Sequence, residues 1–273
     1  MMTHASTPNA TKAARTTIWT AACLTLLLTA CTTPSEQLPP PPPASGNLFL
    51  VVGGSDLKGL HVLDTATGAA SVVGGGFSGI TSTGPGLAPT AGSTHLFGSD
   101  ATALRLVNRD GSGWDTIGGH EAMSEGLAYD AEEDVLYSAS NGYLHVRSPV
   151  TGETLETWLQ PPNEPDIEGL AFDPDTRTLY GLARGFDTHP DDYQDLYALE
   201  VDAPITGWRA VGSTGGLWAS AGLAFDLEDR VLYALGRQDD PGGLYLIDPL
   251  TAATSKIGDT GLPSAAGGLA WVQ

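Results

Sequence analysis

The sequence predicts an all-β fold, a five-bladed β-propeller of four-stranded antiparallel blades. Three observations carry this expectation. A short phrase, Gly-Leu-Ala, recurs at Gly86, Gly126, Gly169, Gly222 and Gly268, and an aromatic residue follows it in four of the five copies. The spacings are 40, 43, 53 and 46 residues, and self-similarity at about 40–50 residues marks units that stack or close into rings. Each phrase is followed by three more short apolar runs, and the two ends of the chain together supply one further unit.

The elements follow in order within a unit. The phrase is a first strand: Gly126-Leu127-Ala128-Tyr129-Asp130 is a continuous apolar run, as expected for a strand covered on both faces. Polar turns follow, such as Pro174-Asp175-Thr176-Arg177. A second run carries Leu136-Tyr137, Leu179-Tyr180 or Leu232-Tyr233. The third run is Leu104–Val107, Tyr143–Val146, Leu196–Leu199 and Leu244–Ile247. The fourth is Trp114–Ile117, Leu155–Trp158, Trp208–Val211 and Ser255–Ile257. Four short runs separated by Gly, Pro, Asp and Ser make one antiparallel sheet, the unit of a propeller blade. Gly and Ala suit the crowded axis. Trp114, Trp158 and Trp208 suit the rim, where splaying blades need bulk.

The ends complete the count. Residues 47–85 lack a phrase but contain second, third and fourth runs, whereas residues 268–273 supply a first strand with nothing after it. Together they match one step of the repeat. A ring that shares one blade between its ends pairs edges that would otherwise stay open, so residues 268–273 should complete the N-terminal blade.

A different kind of sequence precedes the repeats. Lys12 and Arg15 stand before the apolar run Ile18–Leu28, and small residues follow, the pattern of an export signal. The run is shorter than the roughly 20 residues a membrane-spanning helix needs. Leu28-Thr29-Ala30-Cys31 resembles the bacterial lipoprotein signal. That resemblance implies a signal peptide over 1–30, with Cys23 inside it, and a lipidated Cys31. Residues 31–46, with prolines from Pro39 to Pro43, form an extended spacer, and the propeller occupies 47–273. The implied location is exported and lipid-anchored to the cell envelope, at the outer membrane, its periplasmic face or the cell surface, with the membrane as partner through the anchor.

Charge narrows the partners. The chain has 32 acidic and 12 basic residues, a formal net charge of −20. That sign repels phosphate backbones, so no nucleic acid is expected. A monomer is expected, with a protein or glycan partner. The Asp-rich turns at 130–134, 173–177 and 226–230 lack the spacing of a helix-loop-helix calcium loop and read as tight turns.

Candidate site residues come from loops that a propeller gathers at one end of its axis. Entering loops bring Glu125, Asp166, Glu168 and Trp218. Loops between second and third strands bring Asp100, Asn141, Arg184 and Arg237. The longest unit carries an insertion over 184–193, including His189, as a specificity element. These residues suit a polar ligand at a concave mouth. Glu125 and Glu168 each precede the Gly of a phrase, and calcium is the one cofactor such channel carboxylates suggest. Glu-Gly-Leu-Ala-aromatic-Asp resembles the repeat of secreted phytase-like and esterase-like propellers and, more loosely, gluconolactonase-type ones. That resemblance implies a calcium-dependent hydrolase or lactonase. Only two of the five phrases carry the Glu, however, and after Cys31 the only lysines are Lys58 and Lys256, too few for a phosphate site of that kind. The runs Leu63–Gly68 and Leu244–Thr251 resemble NHL-type, YWTD-type and quinoprotein-like propellers, which include dehydrogenases, scaffolds and ligand-binding modules. No Gly-x-Ser-x-Gly elbow is present. No catalytic residue is assigned. The reading that best fits is a lipid-anchored binding or scaffold module, with the calcium-dependent hydrolase as the alternative.

Overall fold

Short apolar runs become strands here because each sheet is covered on both faces by its neighbours. The computed structural model describes residues 48–52, 59–74, 86–92, 94–100, 102–119, 124–159, 167–184, 194–215, 222–236, 242–262 and 267–273. The expected signal peptide, Cys31 and the spacer lie outside the described residues.

The chain enters through β1 (Leu48–Val52), β2 (Gly59–Leu63) and β3 (Ala70–Val72). The next sheet holds β4 (Leu87–Pro89), β5 (His95–Ser99), β6 (Ala103–Asn108) and β7 (Trp114–Gly119). Then come β8 (Gly126–Asp130), β9 (Val135–Ser140), β10 (Tyr143–Arg147) and β11 (Thr154–Leu159). The fourth sheet is β12 (Ile167–Asp173), β13 (Thr178–Arg184), β14 (Gln194–Glu200) and β15 (Arg209–Ser213). The fifth is β16 (Leu223–Asp226), β17 (Val231–Gly236), β18 (Gly243–Ile247) and β19 (Thr254–Asp259). Finally β20 (Gly267–Trp271) returns to the first sheet, whose order is β20-β1-β2-β3. Leu48 pairs with Trp271 and Val52 with Gly267, antiparallel throughout. The closing strand therefore runs over 267–271, one residue earlier at its start than expected from the phrase. The protein is a five-bladed β-propeller.

The innermost strands follow one another around the axis as β20, β4, β8, β12 and β16, and β16 returns to β20. The core has one apolar cluster in each of the five gaps between blades. Between the fourth and fifth blades, for example, Tyr180, Leu182 and Leu196 meet Phe225, Leu232 and Tyr245. The phrase glycines are set by crowding at the axis. A Cβ on Gly126 would lie 2.9 Å from Leu170 Cγ, and one on Gly222 would lie 2.4 Å from the Gly267 carbonyl oxygen. The Leu, Ala and aromatic residues of the phrases line a small axial cavity of about 40 Å³. Of the rim tryptophans, Trp114 and Trp158 lie on fourth strands, while Trp208 immediately precedes one. All three are partly buried against the clusters between blades.

The end of the ring where first strands begin is the top, and the opposite end is the base. The basal turns are tight. Asp130, Asp173 and Asp226 close successive first strands; Oδ1 accepts two backbone N–H groups of its own turn in Asp130 and Asp226 and one in Asp173. Sequence spacing anticipates this turn role. It does not anticipate what crosses between blades. Arg177 Nη1 donates to Asp130 Oδ2 at 2.6 Å, and Arg230 donates to both carboxylate oxygens of Asp173. Each arginine thus reaches back to the blade before its own.

Candidate functional site

The top end gathers the residues that precede first strands and those that link second to third strands. Glu125 and Glu168 stand at the same end of neighbouring innermost strands, β8 and β12, whose backbones are in contact. The Glu125 N–H donates to the Ala139 carbonyl at 3.1 Å, which extends the β8–β9 ladder by one residue. Glu168 occupies a bulge: Ile167 pairs with Ala183 and Gly169 with Leu182, so Glu168 has no residue opposite. Bulges re-aim side chains at sheet ends, and Glu168 is buried. The backbone of Arg184 ends the β13–β14 ladder opposite Gln194. Asp166, His189, Trp218 and Arg237 lie outside the described residues, as does the Arg184 side chain.

Other top residues have structural roles that spacing did not disclose. Asp100 is buried and paired: Arg105 Nη2 donates to its Oδ2 at 2.7 Å, and the Thr102 and Ala103 N–H groups donate to Oδ1. Burial alone would raise its pKa. The bonds from Thr102 and Arg105 win and hold it below the usual carboxylate value. Ser99, Ser124 and Ser138 form a buried chain near the axis. Ser99 Oγ accepts from the Gly86 N–H and donates to the Ser124 carbonyl, while Ser124 Oγ and Ser138 Oγ lie 3.1 Å apart. Arg147 Nε donates to Ser138 Oγ from β10. Asn141 and Gly142 form the two-residue β9–β10 turn, with φ of 49° and 78°, as an Asn-Gly hairpin turn requires.

One aromatic escaped the sequence reading. Tyr143 is 46% exposed beside that turn, its ring 6.2 Å from His145. The signal available for it was its place at the first position of a third strand, directly after Asn141-Gly142. His61 lies in β2, the third strand of its sheet. It is buried, and burial lowers its pKa against the opposing effect of the Gly59 backbone.

Among the described residues, no group of three or more His, Cys, Asp or Glu side chains is arranged to hold a metal ion. The described part of the top holds Glu125 immediately before β8, the buried Glu168 in its bulge and an exposed tyrosine.

No protein-family model matches the chain, and no curated protein matches it. Solved structures do. A crystal structure of a nidogen/laminin complex aligns with a TM-score of 0.52 at 14% identity, covering 77% of this chain and 77% of that one. Hydrazine synthase from Kuenenia stuttgartiensis aligns with a TM-score of 0.45 at 10% identity, covering 83% of this chain and 68% of that one. The first likeness supports the propeller fold. That fold is compatible with a binding or scaffold module.

Proposed function

We propose that this protein is an exported envelope propeller, anchored by lipid on Cys31 and carried on the spacer that ends at residue 46. In this reading it binds a protein, glycan or other envelope ligand through its top face. The observation that carries the reading is the contrast between the two ends of the ring. At the base, tight turns hold Asp130 and Asp173 in bonds to their own turn and to an arginine of the following blade. At the top, the links between second and third strands range from two residues, Asn141-Gly142, to the nine of 185–193. A fixed scaffold with variable tips is how binding surfaces are usually built. The ligand residues proposed are Glu125, Asp166, Glu168, Arg184, His189, Trp218 and Arg237.

Two measurements test this. Cys31→Ala should move the protein from the detergent phase to the aqueous phase in a detergent partition of whole cells. Unchanged partition would remove the anchor. Co-sedimentation with purified envelope polysaccharide and sacculi should weaken at least tenfold in an Arg184→Ala, Trp218→Ala, Arg237→Ala triple variant that melts normally. Equal binding by that variant would remove the top face as the site.

A calcium-dependent hydrolase or lactonase is the second reading, favoured by the placement of Glu125 immediately before β8 and of Glu168 on the adjacent innermost strand β12. Millimolar calcium should then raise the melting temperature, and EDTA or Glu125→Gln with Glu168→Gln should cancel the rise. A melting curve indifferent to calcium would eliminate this reading.

A further inference from the structure

The base of the ring repeats one arrangement three times, and the third copy is incomplete. In the gap between the third and fourth blades, Tyr137 lies against Phe172, with ring centroids 5.9 Å apart, and the Arg177 guanidinium covers Phe172 at 5.4 Å. The same guanidinium bonds Asp130 Oδ2. In the gap between the fourth and fifth blades, Tyr180 stacks on Phe225 at 5.8 Å, and the Arg230 guanidinium covers Phe225 at 5.0 Å and bonds Asp173. In the gap between the fifth blade and the closing blade, Tyr233 stacks on Trp271 at 5.3 Å. Asp226 stands in the place of Asp130 and Asp173, its Oδ1 bound to the N–H groups of Glu228 and Asp229. Its Oδ2 is buried and has no hydrogen-bond partner among the described residues.

The missing part is a guanidinium, and the topology explains its absence. Arg177 and Arg230 each stand five residues after the aromatic of their own phrase, at the end of the turn that joins first to second strand. In the closing blade the first strand is β20 and the second is β1, drawn from opposite ends of the sequence, so no such turn joins them. A buried carboxylate oxygen without a partner carries a desolvation cost that a paired one avoids. Burial accordingly raises the pKa of Asp226, with the nearby Asp229 and Glu228 charges adding to the rise and the turn N–H groups opposing it.

The geometry points to a basal socket, Asp226 with Trp271, that takes an alkylguanidinium group supplied from outside the ring. The two occupied copies define what fits: a planar cation that bonds the carboxylate in its plane and lays its face on an aromatic ring. An ammonium group satisfies the charge but not the planar stack. Before Leu48 the chain carries only Lys12 and Arg15 as strong cations, and the segment from Cys31 to Asn47 carries none. An arginine side chain of a partner and a small guanidinium compound share the required chemistry. The socket lies at the opposite end of the ring from the proposed top-face site and stands or falls separately.

The test is the melting temperature of the full chain in methylguanidinium chloride, against methylammonium chloride at matched ionic strength. Methylguanidinium should give a saturable rise of several degrees at low millimolar concentration. Asp226→Asn should abolish the rise and Trp271→Leu should reduce it. Nα-acetyl-arginine N-methylamide separates the two sources: protection by it identifies an arginine side chain, and protection by methylguanidinium alone identifies a small compound. A second protein carries the three residues Asp-Thr-Arg after Gln273, which places an arginine at the spacing found in the other two copies. That extension should raise the melting temperature and remove the methylguanidinium response, and should do neither in the Asp226→Asn background. Equal protection by methylammonium, a response that survives Asp226→Asn, or an extension without effect would each overturn the socket.

Discussion

Two buried aspartates at opposite ends of the ring should respond to pH with opposite signs. Asp100 has a lowered pKa, so its stabilising contribution is present above the unfolded value near 3.9 and is lost as pH falls through the folded one. Asp100→Asn should cost about 3 kcal/mol near pH 7, where it leaves Arg105 without its partner, and less as the pH drops below about 4. Asp226 has a raised pKa, so stability is fully present below the unfolded value and is lost as pH rises through the folded one. Asp226→Asn keeps an oxygen for the turn and removes the charge. It should stabilise the unliganded protein by about 1 kcal/mol near pH 7 and by nothing near pH 3. Urea titrations of the three proteins across that range check both signs. Sequence alone reached half of this. Asp in a short turn is legible because its side chain caps nearby amides, whereas Arg177 and Arg230 meet carboxylates 47 and 57 residues away. Only the packing of one blade on the next creates those pairs.

At the scale of the element, the innermost strand is where backbone space runs out. A Cβ at Gly222 would meet backbone atoms at 2.4 Å and 2.7 Å, and these cannot move without shifting β20. Gly222→Ala should therefore cost about 3 kcal/mol or more. Gly142 has open space around it but a φ of +78°, so Gly142→Ala should cost about 1 kcal/mol through backbone strain alone. Chemical denaturation of the two variants separates crowding from conformation, and equal losses would contradict the assignment. The strands were legible because a run such as Gly-Leu-Ala-Phe has no polar face to turn toward water. The bulge at Glu168 was not. Nothing in Asp166-Ile167-Glu168-Gly169 states that one residue will go unmatched, since register depends on the partner strand.

For the whole molecule, stability depends on closure. Each of the five gaps has its own apolar cluster, and β20 contributes Leu269 to one and Ala270 to another. Leu269→Asp should therefore weaken the whole ring, with a single unfolding transition moved to lower denaturant and a cost of about 4 kcal/mol or more. Loss of only the first blade, seen as a separate early transition, would show that the blades unfold independently. Closure was visible in the sequence because the incomplete unit at one end matches the fragment at the other. The site was less visible, because a ring specifies where loops converge and leaves their chemistry to residues outside any repeat.

The antiparallel pairing of Leu48 with Trp271 has a mechanical consequence. β1 begins at the base and lies between β20 and β2, so a load applied through the residues before Leu48 pulls the strand lengthwise. Hydrogen bonds on both flanks then resist together in shear instead of parting one after another. A propeller pulled at Leu48 and gripped from the top can bear tension along its axis.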